Sequence, residues 1–290
     1  MCRSSQGLNV TSSLPPLVDA HGHLQAERFT GDRTAVIERA RAANMARLLI
    51  PSWDRESAAS GREIAAQLPW ADAAIGIHPH VASIDPAERD ALLSTADDPL
   101  IVAIGETGID TDRNRSPLAD QITNLEAHIA VACALGKPLI IHCRSVIGAD
   151  DAQRQLLATL RASEIGQPGG AKAFAGRPAF VLHSASGPAS YVEGALALGG
   201  AVSISGLAFR ASEAATRDWV RIVPVDRLLT ETDAPWLVMP GAPDQERNEP
   251  ANVAYTLRWV AEQRGEEIAE LAPRLVANYD RIFPRSAPRG

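Results

Sequence analysis

Cysteine is scarce in this chain of 290 residues. The three cysteines, Cys2, Cys133 and Cys143, are odd in number and lack CxxC spacing. This pattern suggests neither a disulfide framework nor a zinc site built from thiolates. We therefore expect the protein to work in a reducing compartment.

Long apolar runs are absent as well. Residues 1–16 contain no apolar stretch long enough for a signal peptide, and no run elsewhere approaches the length of a membrane span. We expect a soluble, cytoplasmic protein without membrane contact, which begins with a short disordered leader over residues 1–16.

Positive charge is limited, with 28 Lys and Arg against 35 Asp and Glu and a net charge of −7. This argues against a general basic surface for nucleic acid, because affinity for the phosphate backbone comes mostly from clustered Lys and Arg. Lys137 and Lys172 are the only lysines. A local basic lip would therefore consist of arginine, which makes forked contacts to phosphate.

Aromatic residues make up only 4% of the chain, whereas 46% of its residues are hydrophobic. The core must therefore be large and aliphatic, built from Ala, Leu, Ile and Val. A length of 290 residues is more than a usual single domain has, but barrels of alternating strands and helices reach it as one unit. We expect one domain.

Short apolar runs rich in Val, Ile and Leu recur along the chain, and each is followed by a longer stretch with helical periodicity. This alternation is typical of parallel strands joined by helices. The eight predicted strands are Leu17–His21, Arg47–Ser52, Ala73–His78, Ile101–Glu106, Pro138–His142, Ala179–His183, Ala201–Ser205 and Arg227–Asp233.

Helical segments are predicted near residues 32–45, 54–67, 86–96, 118–136, 148–163, 187–199, 212–222 and 250–280. The predicted fold class is α/β, a single-domain (β/α)8 TIM barrel over residues 17–284. A doubly wound open sheet competes, but it needs a glycine-rich turn after the first strand, where this chain has Gly22-His23-Leu24. A Gly- and Ala-rich stretch near residues 164–178 is predicted to be a surface insertion.

Six of the seven histidines fall at or just past the C-terminal ends of predicted strands. The exception, His128, lies in the middle of a predicted helix and is interpreted as structural. In a (β/α)8 barrel these strand ends face one mouth, where active sites are built. Four of the imidazoles and two carboxylates at this mouth form the set His21, His23, Glu106, His142, His183 and Asp233.

Each member of this set has an ordinary explanation when taken alone. His21 and His23 could be a chance pair in a loop, and His142 and His183 could each be core residues. Glu106 could be a carboxylate at a helix start, and Asp233 could be an N-cap. Together, four imidazoles and two carboxylates at one end of five strands match the ligands of divalent cations, so the set predicts a metal site.

Seven short motifs, in order along the chain and at barrel spacing, resemble the signature motifs of the TatD-type DNase family, a branch of the amidohydrolase superfamily. The match runs from about residue 17 to about residue 280. The motifs are Asp19-Ala-His21-Gly-His23, Gly76-Ile-His78-Pro-His80, Gly105-Glu106-Thr-Gly-Ile-Asp110, Ile141-His142-Cys-Arg144, Leu182-His183-Ser-Ala-Ser-Gly187, Thr230-Glu-Thr-Asp233-Ala-Pro-Trp and Asn248-Glu-Pro250.

The resemblance implies a centre with two divalent cations, Mg²⁺, Mn²⁺ or Zn²⁺. Glu106 would bridge the two ions, since each oxygen of a carboxylate can bind a different ion. Asp233 would be a ligand and would also take a proton from the attacking water, which the ions activate. The first ion would be held by His21, His23, Glu106 and Asp233, and the second by Glu106, His142 and His183.

Four further residues are candidates for substrate contacts, namely His78, His80, Arg144 and Arg210. In similar proteins the equivalents of His80 and Arg144 line the mouth. The alternative is that these residues support other side chains or face solvent. The chain departs from the usual family pattern beside the ligands, at Thr111, Ser145 and Ser184-Ala185. This leaves hydrolysis better supported than nucleic acid as the substrate.

The resemblance implies a two-metal phosphodiesterase, a deoxyribonuclease that trims single-stranded DNA ends from 3′ to 5′, and we expect it to be a monomer. One alternative is an amidohydrolase of a small amide, ester or lactone, and another is a non-catalytic partner subunit that has kept the fold. The six competent ligands count against the non-catalytic alternative. Arginine and stacking aromatics at the mouth, such as Trp53 and Trp236, would indicate DNA, and a closed apolar pocket would indicate a small molecule.

Overall fold

Eight parallel strands follow one another around the barrel in chain order. The computed structural model describes residues 14–167 and 169–285. Each strand pairs in parallel with the next one. The strands are β1 (Leu17–Asp19), β2 (Met45–Pro51), β3 (Ala71–Ile75), β4 (Ile101–Asp110), β5 (Leu139–Arg144), β6 (Phe180–Leu182), β7 (Ala201–Ile204) and β8 (Leu228–Thr230).

Hydrogen bonds also join the last strand to the first. The Ala20 N–H, just after β1, donates to the carbonyl oxygen of Thr230 at the end of β8, at 2.9 Å. Gly22 forms a parallel bridge with Ala234. These contacts bring the sheet close to full closure, so the predicted (β/α)8 barrel is confirmed.

Helices alternate with the strands and cover the barrel. Asp54 begins the second helix, because its carboxylate accepts a hydrogen bond from the Ser57 N–H at 2.8 Å. The helices are α1 (Arg33–Ala42), α2 (Arg55–Gln67), α3 (Pro86–Leu93), α4 (Leu118–Leu135), α5 (Asp151–Ala162), α6 (Ala189–Ala197), α7 (Ala214–Trp219), α8 (Val253–Arg264) and α9 (Ile268–Ile282).

The last helical region, predicted as a single stretch over 250–280, consists of two helices. Gly265 follows α8 with a φ of 66°, and its N–H donates back to the carbonyl oxygens of the last turn. This left-handed conformation ends α8, and glycine adopts it without steric cost. The chain then re-enters a helix at Ile268.

Several strand boundaries at the mouth differ from the prediction. β3 ends at Ile75, so His78 lies in the loop that follows. β4 and β5 run further than predicted, because they remain paired up to Asp110 and Arg144. β1 and β8 end earlier than predicted, which places the residues after them in loops at the mouth.

The core is aliphatic, as the composition predicts, with buried Ala, Leu, Ile and Val contributed by every strand. At the end of the barrel opposite the mouth, the buried Asp72 of β3 accepts a hydrogen bond from the Tyr279 hydroxyl at 3.1 Å. It also accepts one from Arg285 Nε at 2.9 Å. These bonds tie α9 and the residues after it to the barrel.

The segment predicted as an insertion, residues 164–178, contains two 3-10 turns, Glu164–Gly166 and Gly170–Phe174. Phe174 and Ile165 are buried against the barrel, so apolar side chains anchor this segment. Its status as an insertion stays a prediction. Of the predicted leader, residues 1–13 lie outside the described residues. In the part of the chain that the structure describes, no helix has the length and apolarity that a membrane span requires.

Candidate metal centre at the barrel mouth

The structure brings the six predicted ligands together at the C-terminal ends of five strands. The turn after β8 is tied to the turn after β1, because the Asp233 N–H donates to the His21 carbonyl at 2.9 Å. Asp233 has a φ of 56°, a left-handed conformation that Asp adopts more readily than bulky residues do. The positions are His21 and His23 after β1, Glu106 in β4, His142 in β5, His183 after β6 and Asp233 after β8.

Four side-chain atoms form a first cluster, namely His21 Nε2, His23 Nε2, Glu106 Oε2 and Asp233 Oδ1. The two nitrogens lie 3.0 Å apart, and they lie between 3.3 and 3.9 Å from the two oxygens. Four ligands in a tetrahedron around zinc, at ordinary bond lengths, are roughly 3.3–3.4 Å from one another. The cluster therefore has the spacing of a set of metal ligands.

The other oxygen of Glu106, Oε1, faces a second cluster. It lies 3.1 Å from His142 Nδ1 and 3.4 Å from His183 Nε2. The two oxygens of this carboxylate thus face two different groups of histidine nitrogens, as they must if it bridges two ions. The Glu106 side chain is only 4% exposed, so the surrounding protein largely shields it from solvent.

Acceptors behind three of the rings fix where the ring protons lie. An oxygen of a carbonyl or an ionised carboxylate can only accept, so the facing ring nitrogen carries a proton. In a neutral ring the other nitrogen then keeps its lone pair, and in each case that nitrogen faces the clusters, as in metal-binding histidines generally. The pairs are His23 Nδ1 with the Pro51 carbonyl (3.0 Å), His183 Nδ1 with Glu231 Oε1 (2.9 Å) and His142 Nε2 with Asp110 Oδ2 (3.0 Å).

Opposite charges are concentrated between Glu106 and His183. Burial raises the pKa of Glu106, but His78, His183 and His21 outweigh burial and hold this pKa well below its usual value. Burial lowers the pKa of His183, but Glu231 and Glu106 outweigh it and raise this pKa to about 10. A cation that binds here must displace the proton of His183, because a ligating imidazole gives up its proton at the ligand nitrogen.

Asp110 belongs to this site although it was not among the predicted site residues. Its Oδ2 atom accepts from His142 Nε2 and also lies 2.7 Å from His80 Nε2. Burial raises the pKa of Asp110, but the bonds from His142 and His80 lower it further than burial raises it. The sequence does contain a feature that indicates Asp110. It follows Glu106 by four residues, and because side chains alternate along a strand, both lie on the same face of β4.

Glu231 is a second carboxylate that sequence reasoning missed. It is fully buried, and its Oε1 accepts from His183 Nδ1 and from the Ser184 N–H at 2.6 Å. Its Oε2 accepts from the Ser203 hydroxyl. Glu231 thereby joins the ends of β6, β7 and β8 behind the second cluster. Its position two residues before Asp233 is the sequence feature that could have indicated a place in the site.

The two predicted substrate histidines lie beside the second cluster. His78 is largely buried; its Nδ1 accepts from the His80 N–H at 3.1 Å, and its Nε2 lies 3.4 Å from Glu106 Oε1. The proton of a neutral His78 ring is therefore on Nε2 and points at Glu106. His80 is partly exposed and pairs with Asp110. Both histidines are part of the mouth, and their role toward substrate stays a prediction.

The two predicted substrate arginines differ in their surroundings. Arg144 Nε donates to Asp112 Oδ2 at 2.7 Å, so a carboxylate already neutralises this guanidinium. Arg210 is exposed, and its side chain has no hydrogen-bond or ion-pair partner among residues 14–167 and 169–285. Of the two arginines, Arg210 alone therefore offers an unpaired cation at the mouth.

Two tryptophans flank the first cluster. The ring centroids of Trp53 and Trp236 lie 5.4 and 5.0 Å from that of His23, in edge-on contacts. Trp236 is 43% exposed, whereas Trp53 is partly buried against the core. Trp236 thus presents an aromatic surface at the mouth.

A cavity of about 470 Å³ opens beside the second cluster. It lies between the loops that follow β5, β6 and β7. Its lining includes His142, His183 and Asp233, and Arg210 lies in its wall. These three candidate ligands are therefore accessible to a small molecule or to the end of a chain, and the cavity is within the size range of small-ligand sites.

A family model described as TatD related DNase matches residues 18–284. The chain belongs to this family. A TatD relative in Erwinia amylovora, named 3′-5′ ssDNA/RNA exonuclease TatD, is 33% identical over 275 residues, which cover 92% of this chain and 99% of the relative. A relative of the same name in Rahnella sp. is 34% identical over 275 residues, with 92% and 98% covered.

Solved structures of TatD proteins share the barrel. YJJV, a TatD homologue from Escherichia coli K12, superposes with a TM-score of 0.80 at 25% identity, covering 92% of this chain and 97% of that one. A TatD family hydrolase from Entamoeba histolytica has the same fold, with a TM-score of 0.77 at 18% identity and coverage of 95% and 100%. The TatD family is metal-dependent, and the His, Glu and Asp clusters of this chain could hold metal ions.

Proposed function

We propose that the protein is a metal-dependent exonuclease that removes nucleotides from the 3′ ends of single-stranded DNA. The observation that best supports metal-dependent hydrolysis is the orientation of Glu106, whose two oxygens face two separate groups of histidine nitrogens. The substrate class is supported by the relatives, which are named 3′-5′ ssDNA/RNA exonucleases. RNA is accordingly a second substrate to examine.

Two divalent cations would be held by the six ligands, with Glu106 between them. When bound, they would supply Lewis-acid chemistry that polarises the phosphodiester and makes water nucleophilic. The set contains four imidazoles, which suit Zn²⁺ or Mn²⁺ better than Mg²⁺, since Mg²⁺ prefers oxygen ligands. We therefore propose Zn²⁺ or Mn²⁺ as the resident ions.

Asp233 is the proton acceptor in this proposal. Its side chain is 15% exposed, compared with 4% for Glu106, so water and substrate reach it more readily. Burial raises the pKa of Asp233, but contacts with His23, His183 and His21 outweigh burial and hold this pKa below its usual value. An ionised, accessible carboxylate at this position can accept and pass on a proton.

Trp236 and Arg210 would hold the strand end, through stacking on a base and contact with a phosphate. All six ligands come from one chain, which is consistent with activity as a monomer. With Arg144 neutralised by Asp112, few phosphates are contacted, so binding should be weak and only mildly dependent on salt.

The test uses one single-stranded oligonucleotide labelled at its 5′ end and the same strand labelled at its 3′ end, with Zn²⁺, Mn²⁺ or Mg²⁺. The 5′-labelled strand should shorten progressively, and the 3′-labelled strand should release a labelled mononucleotide at once. The Asp233→Asn protein serves as the control for contaminating nuclease. Release from the 5′ end would contradict the proposed polarity.

A panel of small esters, lactones and amides, assayed beside the strands, tests the amidohydrolase alternative. The same centre could activate water against a carbonyl. Turnover of a carbonyl substrate, with no cleavage of DNA or RNA under any of the metals, would replace the nuclease proposal. Turnover of no substrate by the metal-loaded protein would favour the non-catalytic alternative.

A further inference from the structure

The cavity beside the second cluster contains a polar side chain that the proposed reaction does not use. Gln153, in the first turn of α5, lines this cavity and is only 4% exposed. Buried amides in folded proteins normally satisfy their hydrogen-bonding groups. Its partners therefore indicate what the cavity offers to a ligand.

The carbonyl side of Gln153 is occupied by Ser145. The Ser145 hydroxyl accepts from the Ala152 N–H at 2.9 Å and donates to Gln153 Oε1 at 2.6 Å. This bond places the oxygen of the amide toward Ser145 and the nitrogen away from it. Gln153 Nε2 has no hydrogen-bond acceptor within the described ranges 14–167 and 169–285.

Gly187 leaves this nitrogen uncovered. A Cβ atom at this position would lie 3.3 Å from Gln153 Nε2, so a side chain would crowd the amide. Gly187 also has a φ of 120°, which disfavours other residues. The loop after β6 therefore passes the amide without covering it, and Gln153 presents N–H donors to the cavity.

The rest of the cavity combines an apolar edge with charged side chains in its wall. Val146 and Ile147, in the loop after β5, are 52% and 79% exposed, and both line the cavity. Arg210 supplies an unpaired guanidinium. Of the carboxylates in this wall, Asp150 is paired with Arg154, whereas Glu213 has no ion pair among residues 14–167 and 169–285. A flat apolar ring with a hydrogen-bonding edge and a nearby phosphate matches these three features, and a nucleotide has all of them.

We propose that this cavity binds the base of the terminal nucleotide and that the Gln153 amide donates to the oxygen at its 4- or 6-position, O4 of thymine or uracil or O6 of guanine. The proposal rests on the proposed nuclease function and adds a base preference to it. Thymine, uracil and guanine present a carbonyl oxygen where cytosine and adenine present an amino group. Ends in T, U or G are therefore preferred over ends in C or A. An amino group of the base that faced the Gln153 amide would leave an N–H of each group without an acceptor.

The first test compares four 5′-labelled DNA strands that differ only in the 3′-terminal nucleotide. Removal of terminal T or G should have a kcat/KM roughly tenfold above that of terminal C or A, as one mismatched hydrogen bond would give. Gln153→Met keeps the length of the side chain and removes the donors, so it should abolish the preference. Gln155→Met, two residues further along α5, is the matched control and should keep it.

Ser145→Ala probes the orientation of the amide. Without the Ser145 hydroxyl the amide can turn, so the preference should weaken although Gln153 is intact. Thermal unfolding of each variant establishes that it is folded. An unchanged preference in folded Gln153→Met would overturn the role of Gln153, and so would a wild-type preference for C or A.

Equilibrium binding separates this inference from the proposed nuclease function. Calorimetric titration with the four deoxynucleoside 5′-monophosphates should show tighter binding of dTMP and dGMP than of dCMP and dAMP, and Gln153→Met should remove the difference. Cleavage of all four strands at equal rates, with equal binding, would overturn the base subsite and leave the nuclease proposal intact. If no strand is cleaved, the nuclease proposal fails and the titration decides the subsite alone.

Discussion

His183 Nδ1 lies 2.9 Å from Oε1 of the fully buried Glu231, and the other nitrogen of this ring faces Glu106. Glu231→Gln would place an amide where donors from His183, Ser184 and Ser203 converge. We expect affinity for the second cation to fall roughly 10- to 100-fold, as is usual when the partner behind a ligating histidine is lost.

The measurement for Glu231→Gln is a competition titration against a chelator, with the two ions resolved by their affinities. Glu193→Gln, at an exposed position in α6, is the matched control. Unchanged affinity for the second ion in a folded Glu231→Gln protein would mean that Glu231 does not position His183.

Asp233→Asn should lower turnover by roughly three orders of magnitude or more, because it removes both a ligand charge and the proton acceptor. The fold and the second cluster should persist, since His142 and His183 are unchanged. Steady-state turnover and thermal unfolding check the two effects separately. Asp244→Asn, at an exposed position, is the control. A near wild-type rate for Asp233→Asn would exclude it as the proton acceptor.

Arg210→Ala should raise the KM for an oligonucleotide more than Arg144→Ala does, because Asp112 already neutralises Arg144. Loss of one phosphate contact should also reduce the slope of log affinity against log salt by roughly 0.7 for a single strand. A minimal nitrophenyl phosphodiester should be nearly unaffected by either variant. The reverse order of the two KM effects would place the phosphate contact at Arg144.

His128 should make the fold sensitive to acid. Its Nδ1 donates to the Asn124 carbonyl at 2.7 Å, its Nε2 accepts from the Ile77 N–H at 2.9 Å, and burial lowers its pKa to about 4. The unfolded chain, with a pKa near 6.5, binds the proton more readily. The contribution to the free energy of unfolding is therefore full above pH 6.5 and is lost as the pH falls through about 4.

This difference in pKa corresponds to about 3 kcal/mol at most. Urea unfolding between pH 7.5 and pH 4 measures it. Folded His128→Gln should lose less stability over this range than the wild type does. Identical pH dependence of the two proteins would show that His128 is not the group responsible.

Much of the fold could be predicted, because the order of apolar runs along the sequence indicates the alternation of strands and helices. The ends of the strands could not, since they depend on pairing between neighbours. β4 continues past Glu106 because Asp110 stays opposite Arg144 of β5, and no local pattern marks that pairing. Likewise α8 and α9 were predicted as one stretch because helical periodicity resumes directly after Gly265.

The six candidate ligands could be predicted because imidazoles and carboxylates at strand ends are chemically conspicuous. Side chains that act through tertiary contacts were harder to find. The pairing of Arg144 with Asp112 is one example, because Asp112 lies just after β4 and reaches the end of the neighbouring strand β5. The contact of Arg144 with phosphate stays a prediction. The bond between Ser145 and Gln153 depends on the path of the loop between β5 and α5, which composition does not reveal.

Elemental analysis most directly tests the centre bridged by Glu106. The protein is reconstituted with Zn²⁺ or Mn²⁺, and unbound ions are removed before metal and protein are quantified. We predict about two ions per wild-type chain and about one in folded Glu106→Gln, since that variant loses the carboxylate shared by the two clusters. A single ion per folded wild-type chain at saturating metal would contradict the bridging role of Glu106.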